Sequence, residues 1–297
     1  MEKKELESYQ KAGKIAVQVK EYARNLIKPG MPLLEIVEKI EKKIEELGGE
    51  PAFPVNLSIN EIAAHYTPSS IDETLANGLL KIDIGIEING FIADTAFSLD
   101  LTKNKEHKKL IEASEQALKQ SIKSIKENPK ITLSEIGKTI QETIASFGFS
   151  PIRNLSGHSL GEFTIHSGIT IPNYENHNNK VLESGAYAIE PFATTGEGIV
   201  RDGGKSNIYR LEKEGAIRDP TARKIYNFVI ENYSTLPFCE RWLTKEFGSK
   251  TRIGLLFLEK AGVLHSYAQL VEKSNAPISQ AENTILINKK EIEVTTE

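Results

Sequence analysis

Apolar positions recur at helical spacing over residues 3–28, where Leu6, Tyr9, Ala12, Ile15, Val19, Tyr22 and Leu26 share one face. Lys28-Pro29-Gly30 ends that pattern. A second amphipathic helix is predicted from about Leu34 through Val37, Ile40 and Ile44 to Leu47, closed by Gly48-Gly49, where positive φ is freely available. Pro51 to Ser58 then reads as an extended, proline-marked segment. Beyond it the period falls to two. Ile82, Ile84, Ile86 and Ile88, then Phe91, Ala93, Thr95 and Phe97, predict two strands with one apolar face to pack on helices. Asn89-Gly90 between them predicts a two-residue turn, because the favoured hand of turn needs positive φ at both positions. That turn sets the register: Ile88 pairs with Phe91, Gly85 with Asp94, and Asp83 with Ala96. Asp83 and Asp94 become diagonal neighbours on the other face, about 7–8 Å apart.

A second helix pair follows, with Leu110, Ala113, Ala117 and Ile125 in one member and Ile136, Ile140, Ile144 and Phe147 in the other. Thr132 and Glu135 have the capping-box spacing that starts the latter. Each pair leads into a similar stretch, Gly49-Glu-Pro-Ala-Phe-Pro-Val-Asn-Leu-Ser58 and Gly148-Phe-Ser-Pro-Ile-Arg-Asn-Leu-Ser156. Two helices and a proline-entered strand, given twice, predict a pseudo-symmetric α/β sandwich with a site between its halves. Ser156 to Gly168 is strand-forming and carries His158 and His166; an even separation puts both on one face unless Gly161 introduces a bulge. Tyr187 to Phe192 and Ala281 to Ile287 are short strands with one acid each, Glu190 and Glu282. Between them, Asp219-Pro220 starts a helix through Tyr226, Val229 and Tyr233, and another lies near Leu255–Ala261. The predicted organisation is a main domain of residues 1–197 and 268–297 with a small helical subdomain, 198–267, inserted into it.

Composition narrows the function. A chain of 297 residues is long enough for a full core. A net charge of −4 and a pI near 6.0 give no electrostatic case for nucleic acid or anionic membranes. The lone Cys239 excludes an internal disulfide framework and fits a reducing compartment. Met1-Glu-Lys-Lys-Glu-Leu6 lacks the apolar core of a signal peptide, so a cytoplasmic protein is expected. Nothing calls for an obligate partner, and a monomer is expected; any ribosome contact would have to use the folded surface.

Two acids on a sheet that is apolar on its reverse repel each other unless a cation, a shared proton or a basic side chain intervenes. On the hairpin alone, solvated acids facing water remain an equal reading. Asp83, Asp94, His158, Glu190 and Glu282, all expected on strands, together form a set of four carboxylates and one imidazole. That set suits a pair of hard or borderline divalent ions, and one cysteine cannot supply a structural zinc site. Taken singly, each of these residues reads as an ordinary strand acid or core histidine; only convergence favours a metal. Two ions about 3.5–4 Å apart can activate a bridging water and polarise a carbonyl, the arrangement for hydrolysing an amide.

Five pieces of sequence carry a resemblance. They are Pro51–Ser58 with Ala64-His65-Tyr-Thr-Pro68; Lys81-Ile-Asp83 with Ile92-Ala-Asp94-Thr95; Gly157-His158-Ser-Leu-Gly161 with Ile165-His166; Ala188-Ile-Glu190; and Glu282-Asn-Thr-Ile-Leu286. In this order and spacing the chain resembles the type 2 methionine aminopeptidases of archaeal kind, within the pita-bread metallopeptidases, over essentially its whole length. The resemblance implies an antiparallel sheet covered by helix pairs, with the helical insertion marking type 2. It implies two divalent metals, cobalt, manganese, iron or zinc, held by Asp83, Asp94, His158, Glu190 and Glu282. Glu190 would shuttle the proton, and His65 and His166 would contact the scissile amide and carbonyl. Phe53, Ile165, Phe192 and Tyr267 would surround a methionine side chain. The implied activity is removal of the initiator methionine from new polypeptides whose second residue is small. Asn283 departs from the pattern, since many relatives carry a histidine there. Two rivals remain open: a proline-directed relative with the same metal set, and a metal-free pita-bread paralogue that binds RNA or ribosomes, which loss of ligands would mark.

Overall fold

The structure is a computed structural model that describes residues 1–289 and 291–297. Helices α1 (Lys3–Leu26) and α2 (Leu33–Glu46) lead through short strands β1 (Glu50–Pro51), β2 (Asn56–Ile59) and β3 (Ile62–Ala64) into the hairpin of β4 (Leu79–Ile88) and β5 (Phe91–Asp100). The sequence of elements then recurs with α3 (Lys108–Glu127), α4 (Leu133–Ser146), β6 (Ser150–Pro151), β7 (Ser156–Leu160), β8 (Thr170–Pro172), β9 (Gly185–Ile189) and β10 (Phe192–Thr194). Next come β11 (Val200–Leu211), α5 (Pro220–Tyr233), β12 (Phe238–Cys239), α6 (Glu240–Phe247), α7 (Lys250–Lys260) and β13 (Leu264–Glu272). The chain closes with β14 (Ile278–Gln280), β15 (Asn283–Asn288) and β16 (Glu291–Val294). No helix among the described residues is long and apolar enough to cross a membrane.

The hairpin has the register its turn dictates: Ile88 opposite Phe91, Gly85 opposite Asp94 and Asp83 opposite Ala96. Asn89 and Gly90 both have positive φ, 53° and 87°. Ile82, Ile84, Ile86 and Ala93 bury their apolar face under α1 and α2, together with Ala12, Val19, Ile36 and Ile40. An equivalent core lies under α3 and α4, where Ala113, Ile136 and Ile140 meet Ile189, Ala193 and Ile285. The Thr132–Glu135 capping box starts α4 with reciprocal bonds of 3.2 and 2.8 Å. Short entry strands repeat as well, since Glu50-Pro51 pairs with β4 and Ser150-Pro151 with β10. All strand pairings described are antiparallel.

Residues 198–267 hold helices α5 to α7, which share a core of Ala222, Ile225, Val229, Leu243 and Leu255, and most of two long strands, β11 and β13, which flank them and pair with each other. Strand β13 runs past residue 267 and pairs with β3, which fastens the insertion to the sheet behind His65. Asp219 caps α5, accepting from the Ala222 amide at 2.8 Å, with Pro220 in the first turn.

Candidate metal centre

Asp83 and Asp94 project from neighbouring strands of the hairpin, and the rest of the site comes from the second half of the chain. His158 lies on β7 beside Ala188 of β9. Glu190 and Glu282 stand just outside the strands expected to hold them. Glu190 precedes Pro191, which has no N–H to continue a ladder. Glu282 forms an isolated antiparallel bridge with Ala96, its amide donating to the Ala96 carbonyl at 2.9 Å. This bridge is the seam between the halves. Side chains reinforce it. The Thr284 hydroxyl accepts from the Asp94 amide and donates to the Asp94 carbonyl, both at 2.8 Å. Thr95 donates to the Glu282 carbonyl at 2.8 Å, and Ser98 to the Gln280 carbonyl at 2.8 Å.

The five side chains converge. Asp94, His158 and Glu282 each offer an atom within 4.8 Å of the others. His158 Nε2 lies 3.8 Å from both Asp94 Oδ2 and Glu190 Oε1. Burial, and then repulsion among neighbouring acids, holds Asp94, Glu190 and Glu282 well above the usual carboxylate range. Asp83 is pushed up to about 7 by burial, against the lowering effect of the Gln280 amide. The same burial drives His158 down to about 3, with help from His166. Four acids brought together in so little water must either hold protons or be compensated by a cation. The donors fit a divalent one: oxygen-rich with one neutral imidazole, and with Asp83 Oδ1, Asp94 Oδ1 and His158 Nδ1 buried without a hydrogen-bond partner.

Above these groups lies a cavity of about 350 Å³. Phe53, His65, Ile165, His166, Phe192 and Tyr267 all line it. Phe53 reaches its place because position 85 is glycine; a Cβ there would lie 2.2 Å from the Phe53 ring. Strand β7 ends at Leu160, so the expected parity of His158 and His166 along one strand does not hold. Instead a tight turn, in which Gly161 and Thr164 exchange backbone bonds of 2.8 and 3.1 Å, folds the chain back. The imidazoles meet edge to face at 4.4 Å. The hairpin tip supports that turn: the Phe163 amide donates to the Gly90 carbonyl at 2.8 Å. His65 sits across the cavity with its ring 5.2 Å from Tyr267. Burial, aided by His166, lowers its pKa to about 4. His265 meets Tyr267 edge to face at 4.8 Å and is not among the lining residues. His107 and His177 lie elsewhere, at the start of α3 and exposed before Asn178.

Sequence reasoning missed the polar residues between and behind the acids. Asn56 faces Asp83 across β2 and β4 and lines the cavity with its Oδ1 unpartnered. Gln280 donates to Glu282 Oε2 at 3.5 Å. Asn173 ties the Glu190 carbonyl to that of Leu155, donating 3.1 Å bonds to both. Only Gln280, two residues before Glu282, had a sequence signal that could have pointed to it.

Comparison with known proteins adds four findings. The model of metallopeptidase family M24 matches residues 7–219. A methionine aminopeptidase of Methanocaldococcus jannaschii is 47% identical over 98% of this chain and 99% of its own length. Among solved structures, a thermophilic Arx1 superposes with a TM-score of 0.84 at 19% identity, covering 99% of this chain and 91% of its own. The methionine aminopeptidase of Thermotoga maritima does so at 0.70 and 22%, covering 100% and 98%. At these identities the two structures speak for the fold alone.

Proposed function

This chain belongs to metallopeptidase family M24 and is a methionine aminopeptidase, and from that premise we propose which of its residues do the work. Asp83, Asp94, His158, Glu190 and Glu282 hold two divalent ions, drawn from manganese, iron, cobalt and zinc. The observation that carries this reading is the convergence of four carboxylates, two buried and two half-buried, and one neutral imidazole at the floor of the cavity. When bound, such ions supply the positive charge that acidifies water near neutral pH and draws on the scissile carbonyl.

The chain's own side chains do the rest. Phe53, Ile165, Phe192 and Tyr267 enclose the methionine side chain, whose flexible thioether suits an irregular aromatic and aliphatic wall. The free α-amino group sits toward the carboxylate floor. His65 and His166, kept neutral by burial, each retain one N–H to donate. They contact the scissile amide and stabilise the charge that develops on its carbonyl oxygen as water attacks. Glu190 takes the proton from that water and passes it to the departing amine, leaving free methionine and a shortened chain. The substrates are cytoplasmic polypeptides with an N-terminal methionine and a small second residue, met as they leave the ribosome, and the enzyme acts as a monomer.

The test is release of free methionine from Met-Ala-Ser by metal-loaded protein, lost on chelation and restored by one of the four metals. An Ala-Pro-containing peptide should be left intact, and its cleavage in preference to Met-Ala-Ser would turn the reading toward a proline-directed enzyme. Asp94→Ala should lose both metal binding and turnover; an unchanged rate in this variant would remove the ligand assignment.

A further inference from the structure

Behind the seam, on the face of the sheet turned away from the cavity, one ammonium joins three parts of the chain. Lys20 of α1 donates to Thr95 Oγ1 at 3.3 Å, Asn283 Oδ1 at 3.2 Å and the Thr296 carbonyl at 2.5 Å. Thr95 and Asn283 are the immediate neighbours of Asp94 and Glu282, which come from opposite halves of the molecule. The C-terminal residues complete the junction. Thr296 Oγ1 donates to Asn283 Oδ1 at 3.0 Å and accepts from the Thr284 amide at 3.0 Å. The Thr295 amide donates to the Thr284 carbonyl at 3.0 Å. Thr284 is the residue whose hydroxyl clasps the Asp94 backbone. Gly13 admits this segment against α1, since a Cβ there would lie 2.4 Å from the Thr295 carbonyl oxygen.

The backbone of the seam is one isolated bridge, Ala96 to Glu282, and cannot by itself fix the distance between two carboxylates on its two sides. We propose that Lys20, with the Thr295–Glu297 segment it anchors, is a positioning residue that sets the Asp94–Glu282 spacing and thereby the affinity of the site for divalent metal. The proposal rests on the five-ligand reading above. Its physical basis is that groups holding the ligands of a metal site in place contribute to affinity without touching the metal.

Isothermal titration of metal-free protein with manganese tests this, with the melting temperature of each metal-free form measured alongside. Lys20→Met keeps the stem of the side chain and removes its donors; a chain ended after Thr295 removes the Thr296 acceptor instead. Each should weaken manganese binding by about tenfold or more, with Lys20→Arg recovering most of the loss and the metal-free melting temperatures nearly unchanged. Unchanged affinity in both variants overturns the proposal. A loss that follows a fall in metal-free melting temperature and is not restored by Lys20→Arg also overturns it, since it would mean a merely structural role. Should Lys20→Met fail to fold, the shortened chain decides. Wild-type protein that binds no manganese would fell the five-ligand reading and this proposal with it.

Discussion

His65 has a left-handed backbone, with φ of 62°, a region that a residue with a Cβ enters at a cost of roughly 1–3 kcal/mol. Its neighbours enforce it. The Tyr66 carbonyl accepts from the Leu57 amide at 2.8 Å, the Tyr66 hydroxyl donates to Asp72 at 2.6 Å, and the Thr67 hydroxyl donates to the Val55 carbonyl at 2.9 Å. Strain retained at a cavity wall points to the side chain as the reason for it. His65→Ala and His65→Gly should therefore lose about the same activity, on the order of 10²–10³-fold in kcat/KM, the cost of removing one donor to a developing charge. They should differ in stability, with the glycine variant the more stable by roughly 1 kcal/mol in urea unfolding, because glycine adopts positive φ freely. Equal stabilities would show that the backbone here is unstrained. At this scale the acids and histidines were legible from identity and spacing, and the amides less so. Asn56 and Asn173 act through positions fixed by long-range pairing, which single residues in a sequence do not announce, whereas Gln280 stands two residues from the Glu282 it donates to.

Between elements, the junction to the insertion holds a buried charged network. Arg241 at the start of α6 makes paired bonds of 2.7 and 2.9 Å to Glu41 of α2, and both side chains are almost wholly buried. The guanidinium also reaches the Thr67 hydroxyl and the Pro68 carbonyl, each at 3.2 Å, and Trp242 donates to Glu41 at 2.9 Å. The insertion thus grips the loop that follows His65. Arg241→Met should cost roughly 3–5 kcal/mol, since it leaves a buried carboxylate without its charge partner. Adding Glu41→Leu should recover only part of this in urea unfolding, because the Pro68 carbonyl, the Trp242 indole and the Val55 amide then lack partners of their own; full recovery would show that those bonds contribute little. The elements here were unevenly legible. Helices α1 to α4 and the β4–β5 hairpin follow from apolar period and turn chemistry. Strand β11 does not, because Arg201-Asp-Gly-Gly-Lys205 is exposed, polar and broken by register shifts against β13.

Across the whole molecule, two similar halves each deliver carboxylates to a shared floor, and folding is what brings those charges together. The repeated entry strands made this architecture readable, whereas the seam depends on side-chain bonds between β5 and residues near the C-terminus. Without metal, the folded state binds protons on these acids more tightly than the unfolded chain does. Burial pushes Asp83 up to about 7 and holds Asp94, Glu190 and Glu282 well above the ordinary carboxylate value near 4. Their contribution to stability is fully present below about pH 4 and is lost as pH rises through 7 and beyond. His65, His158 and His166 act in the opposite sense, being lowered by burial, but their window closes at the ordinary histidine value near 6.5. Lys81, also lowered by burial, opposes the acids in metal-free and metal-loaded protein alike and cancels in the difference, whereas Lys20 faces Glu282 and gives up its proton more readily once metal offsets that carboxylate, which adds to the widening. Bound divalent metal compensates the ionised carboxylates and removes the loss. The melting temperature gained with manganese over chelator should therefore widen steadily from about pH 6.5 to 8. Scanning calorimetry across that range decides it, and a gain that stays constant or shrinks would mean that these four acids do not hold the metal.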